Sequence, residues 1–120
     1  MDVVARNHCR PFTTEDGSEI RELLAHRNSS IRNQSLAEAS LRVGQSTRPH
    51  YHPKAEEIYY ILQGQGQMRI EGEERPVGPG DAIAIPPGKS HQILQKGTHD
   101  LVFLCCCAPG YEPTDVVFTE

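Results

Sequence analysis

The sequence predicts an all-β protein, a sandwich or barrel of short antiparallel strands. Three observations predict it. Apolar and polar residues alternate over short runs, the runs are rich in β-branched and aromatic side chains, and glycine and proline punctuate them, with 10 Gly and 9 Pro in 120 residues. That length suits one domain, residues 1–120, with a real core and no room for a second.

The opening residues MDVVARNHCRPF lack the apolar run of a signal peptide, and no later stretch approaches the length of a membrane span, so a cytoplasmic protein is expected. Ser18 to His26 (SEIRELLAH) has a helical rhythm, with Ile20, Leu23 and Leu24 on one face and Asp16 or Ser18 available to cap it. At most one short helix is therefore expected, near the N-terminus, and a strand is the alternative for that segment. From Ile31 onward the pattern is strand, turn, strand. SLAEASLRVG alternates, with Ala37, Ala39, Leu41 and Val43 on one side and Glu38, Ser40 and Arg42 on the other. EIYYILQ is a second strand ending at Gly64-Gln65-Gly66, and QMRIEG a third. AIAIPPG and HQILQK follow, and DLVFLCCC is a long apolar strand before Pro109. The tail YEPTDVVFTE is expected to pack across the outside or on a partner.

Net charge is -4, and there is no dense Lys/Arg patch, so neither nucleic acid nor an anionic membrane is an expected partner. Cys105-Cys106-Cys107 invites a redox reading. However, adjacent Cα atoms lie only about 3.8 Å apart, too close for an unstrained disulfide. No C-x-x-C spacing suggests zinc, so the three read as small core hydrophobes, with Cys105 and Cys107 on one face and Cys106 on the other.

The chemistry is concentrated between Gly44 and Gln95. His50 and His52 are two apart, so on an extended strand both imidazoles point to one face. Glu57, five residues on, and His91, just after a proline-glycine turn, can close a metal shell from neighbouring strands. Imidazole with one carboxylate suits iron, manganese, nickel, cobalt, copper or zinc rather than calcium. Glu56 competes with Glu57 but points the other way on the strand. His8, His26 and His99 lie outside the pattern and read as surface residues. Tyr59 and Ile61 share the face of Glu57, and Ile93 and Gln95 share that of His91, so Tyr59, Ile61, Ile93 and Gln95 are candidate pocket residues, with Glu57 and Tyr59 as candidate catalytic groups.

Gly44, five residues, His50-x-His52, four residues, Glu57, six residues, Gly64 resembles the first motif of the cupin superfamily. Gly80, five residues, Pro86-x-Gly88, two residues, His91 resembles the second. The motifs cover 44–64 and 80–95. The resemblance implies a small antiparallel jelly-roll barrel with a metal inside, bound by His50, His52, Glu57 and His91. One departure is Gln95, where the second motif usually has Asn. Such a site is expected to serve a metal-dependent enzyme of oxygenase type acting on a small molecule. A Lewis-acid isomerase or epimerase on a sugar or keto acid, or a non-catalytic small-ligand module, are the alternatives. Barrels of this kind commonly pair, so a homodimer is expected.

Overall fold

The computed structural model describes residues 1–120 and is built almost wholly of antiparallel strands. In chain order these are β1 (Phe12–Thr13), β2 (Glu19–Leu24), β3 (Ser35–Leu41), β4 (His50–Tyr51), β5 (Glu56–Gln63), β6 (Gln65–Ile70), β7 (Glu73–Val77), β8 (Ala82–Ile85), β9 (His91–Lys96), β10 (Leu101–Ala108) and β11 (Val117–Phe118). One sheet runs β1-β2-β3-β10-β5-β8 and the other β11-β4-β9-β6-β7, so the two face each other as a jelly roll. The only helical turns are short 3-10 segments at Arg6–His8 and Pro113–Asp115. No helix is long and apolar enough to cross a membrane.

Alternation decides what faces inward. Glu57, Tyr59 and Ile61 are buried on β5, whereas Glu56, Ile58, Tyr60 and Leu62 are exposed. The cross-strand register stacks inward side chains in layers: Glu57 opposite Cys107, Tyr59 opposite Cys105, Ile61 opposite Phe103. Going down the barrel, the interior thus passes from acid and thiol, through phenol and thiol, to a hydrocarbon core in which Leu41, Ile61, Ile93, Leu101 and Phe103 are almost fully enclosed. On β3 the inward face runs through Ala37, Ala39 and Leu41; Val43 lies beyond the strand end and is exposed.

The segment read as a possible helix is strand β2. Ile20 sits opposite Ala39 and Arg21 opposite Glu38, and the register shifts between Glu22 and Leu24. That irregularity breaks the period of two and puts apolar residues at 20, 23 and 24, a spacing that imitates a helix. Ladder bonds to β3 and β1 outweigh the weak local propensity. Strand β7, absent from the sequence reading, holds Pro76; it lies at a sheet edge, where a missing N–H is tolerated. The C-terminal tail pairs with the chain itself, Val117 opposite Tyr51 and Phe118 opposite His50.

The β5–β6 turn is the tightest point of the frame. Gly64 has φ of +83°, and a Cβ there would overlap the carbonyl oxygen of Asp100. Gly44 has a similar φ of +87° with no atom within 4 Å of its would-be Cβ. Gly64→Ala is therefore expected to destabilise by about 2 to 4 kcal/mol and Gly44→Ala by only about 1 to 2. Urea unfolding of the two variants measures the difference, and equal losses would show that the Asp100 contact is relieved by movement of the turn.

Candidate metal centre

Four side chains from both sheets meet near one end of the barrel. His50 on β4 lies opposite His91 on β9, His52 follows where β4 leads into the loop, and Glu57 reaches in from the facing sheet. All four are buried. The ligand nitrogens of His50, His52 and His91 lie within 4.8 Å of one another.

Each imidazole is held by its other nitrogen. His50 Nδ1 donates to the Arg48 carbonyl at 2.7 Å, His52 Nδ1 to the Asp115 carbonyl at 2.9 Å, and His91 Nδ1 to the Lys89 carbonyl at 3.0 Å. A carbonyl only accepts, so every Nδ1 carries the proton and every neutral ring turns its Nε2 lone pair inward. Glu57 Oε1 approaches His52 Nε2 to 3.2 Å and His91 Nε2 to 3.5 Å. These contacts are close enough for charge attraction but lack hydrogen-bond geometry, and Glu57 Oε1 and His91 Nε2 are both fully buried without a hydrogen-bond partner. Converging lone pairs around a buried carboxylate are the donor set of a cation, and the residues fit a divalent transition metal. His50, His52, His91 and Glu57 would hold it.

The electrostatics of the metal-free protein follow from the same contacts. Burial alone would raise the Glu57 pKa, but His52 and His91 reverse this and hold it at about 2. Burial and the neighbouring His91 lower the His50 pKa. Burial also disfavours the His52 imidazolium, yet the Glu57 carboxylate outweighs burial and raises that pKa. Cys107 donates its thiol to Glu57 Oε2 at 3.2 Å, which leaves Oε1 for the histidines. Burial, then the Glu57 charge, pushes the Cys105 and Cys107 thiols up, so both stay protonated and unreactive.

A cavity of about 560 Å³ opens onto His50, His52 and Glu57. Tyr59 lines it, its ring 4.6 Å from Phe103 centre to centre. Ile61 and Ile93 lie one layer deeper, in the core, off the cavity wall. Gln95 is deeper still: its Oε1 accepts the Gly44 amide, and its Nε2 donates to the carbonyls of Lys96, Gly97 and His99. It clamps two turns at the far end of β9. His8, His26 and His99 are exposed, and His26 pairs with Glu112.

Two residues important to the site carry no local signal in the sequence. Asp115 gives its carbonyl to His52, and its carboxylate accepts the Lys54 and Ala55 amides, both at 3.0 Å, clamping the loop between His52 and Glu57. Asp16, in the turn before β2, brings Oδ2 to 4.0 Å from His50 Nε2. Both depend on pairings far apart in sequence, which spacing alone does not reveal.

Comparison with known proteins agrees with this geometry. The family model described as the cupin domain matches residues 37–107. An uncharacterised protein of Methanocaldococcus jannaschii is 45% identical over 92% of this chain and 89% of its own. An oxalate-binding protein of Thermotoga maritima is 35% identical over 72% of this chain and 71% of its own. Among solved structures, the polyketide cyclase RemF of Streptomyces resistomycificus superposes with a TM-score of 0.84 at 25% identity, over 100% of this chain and 86% of that one. With both motifs on the walls of a two-sheet jelly roll and the family model spanning most of it, the chain belongs to the cupin family.

Proposed function

We propose that this protein is a mononuclear metal-dependent enzyme that binds a small molecule in the barrel and uses the ion as a Lewis acid. The observation that carries the reading is the partnerless pair, Glu57 Oε1 facing His91 Nε2 in a fully buried site. Such a pair calls for a cation, and the cavity that opens onto three of the four residues gives a small molecule access to it. The ion, held by His50, His52, His91 and Glu57, would polarise a ligand oxygen. Beside it, burial keeps the Tyr59 phenol protonated, so it can donate a hydrogen bond to a ligand oxygen from the cavity wall. A hydrogen-bond donor beside a Lewis acid suits isomerisation, ring closure or elimination, in which charge develops on a ligand oxygen, and the name of the cyclase RemF points the same way. The ligand set alone also admits an oxygenase, and the metal decides between them.

Elemental analysis of the purified protein is expected to find about one manganese, nickel, cobalt or zinc per chain, with His52→Ala lowering affinity at least about tenfold. Iron accompanied by oxygen uptake would replace the Lewis-acid reading with the oxygenase. No metal in either protein would overturn both.

The raised His52 pKa sets the sign of the pH dependence. A proton on His52 is favoured by Glu57 in the metal-free protein, and the ion must displace it. Metal affinity is therefore expected to start falling already above the ordinary imidazole range as pH drops, and to be steady only where His52 is fully deprotonated. Proton release on binding, read by titration calorimetry in buffers of different ionisation enthalpy, checks this.

A homodimer is part of the same proposal. Ile58, Tyr60 and Leu62 stand exposed along the outer face of β5, with Leu104 across from Tyr60 on β10 and Ala82 on β8. This is a continuous apolar strip on the broad sheet, and a second copy of the chain covers it most simply. Light scattering is expected to give a dimer for the wild type and a monomer for Tyr60→Lys with Leu104→Lys; a monomeric wild type would overturn the pairing.

A further inference from the structure

The turn that leads into β2 brings a second carboxylate to the site. Asp16 Oδ1 accepts three hydrogen bonds: from Thr14 Oγ1 at 2.5 Å, the Ser18 amide at 2.9 Å and Ser18 Oγ at 2.7 Å. The Asp16 carbonyl accepts the Arg48 amide at 2.8 Å, which ties this turn to the stretch carrying His50. An aspartate that bonds its own turn holds its carboxylate without outside help. Here one oxygen is used by the turn, while Oδ2 makes no hydrogen bond and faces His50 Nε2 across 4.0 Å. An acceptor held in place and open to the cavity is suited to a ligand hydrogen.

Charge around the cavity narrows the ligand. Four carboxylates line it, Glu15, Asp16, Glu22 and Glu57, against one cationic side chain, Arg27. Arg27 is already committed, with Nε and Nη2 on the Glu22 carboxylate, Nη2 also on the Tyr111 carbonyl, and Nη1 on Glu112. A divalent ion would be balanced by Glu57 and Asp16 together, so a dianion would leave the site with a net charge of minus two. The apolar wall is aromatic: it includes all three phenylalanines of the chain, Phe12, Phe103 and Phe118, with Tyr59 and Tyr111.

We propose that Asp16 selects the ligand, accepting a hydrogen bond from the hydroxyl retained by an aromatic chelator that binds with the loss of at most one proton, and repelling small dianions. The inference rests on the metal-centre reading above and adds the ligand class. Oxalate would bring two negative charges beside Asp16.

The test uses protein reconstituted with Mn²⁺ and two probes, catechol and oxalate, titrated calorimetrically with metal retention measured afterwards. Wild type is expected to bind catechol, and to bind oxalate at least about tenfold more weakly. Asp16→Asn is expected to move the two affinities in opposite directions, catechol weaker and oxalate tighter by about tenfold each. A disturbed barrel would weaken both. Asp16→Ser, which keeps a turn-forming oxygen without the charge, gives the same readout if Asn perturbs the turn. Equal oxalate affinity in wild type and variants, or both probes shifted the same way, overturns the role of Asp16 while the metal centre stands. Failure of wild type to bind Mn²⁺ or any other divalent metal overturns the metal reading and this inference together.

Discussion

The buried Glu57 carboxylate is the constraint on which the site depends. Its Oε1 lies among imidazoles whose Nδ1 protons are already given to backbone carbonyls, and its Oε2 takes the Cys107 thiol. Nothing in the protein neutralises it fully. A charge in such a place is costly unless paired, and here the pairing in the metal-free chain falls to a proton on His52. An ion would replace that proton and satisfy the partnerless atoms of Glu57 and His91 at once. Metal binding would therefore couple to local stability through the same four side chains.

The frame that makes this possible is a gradient along the barrel axis. Successive inward residues on a strand are about 6.6 Å apart in depth, so two positions separate a ligand from the core. On β5 that step leads from Glu57 to Tyr59 and then Ile61; on β9, from His91 to Ile93 and then Gln95. The hydrocarbon layer holds the sheets together, which leaves the polar end free to carry strained electrostatics. Gln95 closes the opposite end, where its amide meets four backbone partners. Its extra methylene relative to Asn is used to reach carbonyls in a turn, well away from the cavity.

Parity and spacing made the convergence of His50, His52, Glu57 and His91 readable from the sequence. His50 and His52 share a face because a strand alternates, Glu57 rather than Glu56 points inward for the same reason, and Cys105 and Cys107 face in together. Depth was not readable. Same-face logic groups Tyr59 with Ile61, yet only Tyr59 reaches the cavity, because a face says nothing about how far down the barrel a residue lies. The helix-like spacing at Ile20, Leu23 and Leu24 misleads because a register shift occurs within β2, a tertiary event with no local marker. The C-terminal tail was expected on the outside or on a partner. It instead runs beside β4, delivering the Asp115 carbonyl to His52.

The two parts of the site thus differ in how they are encoded. The candidate metal ligands occupy two compact motifs between residues 44 and 95, inside the segment matched by the family model, and neighbouring strands bring them together. Asp16 and Asp115 lie outside that segment, on turns anchored by contacts 32 to 63 residues away along the chain. A motif can hold an ion wherever the barrel forms, whereas the flanking turns decide what lies beside it. Replacing a flanking carboxylate changes the charge over His50 without touching a ligand or a core side chain. Ligand choice on this scaffold can therefore change through the terminal segments while the metal centre remains intact, a division of labour consistent with one fold holding many chemistries.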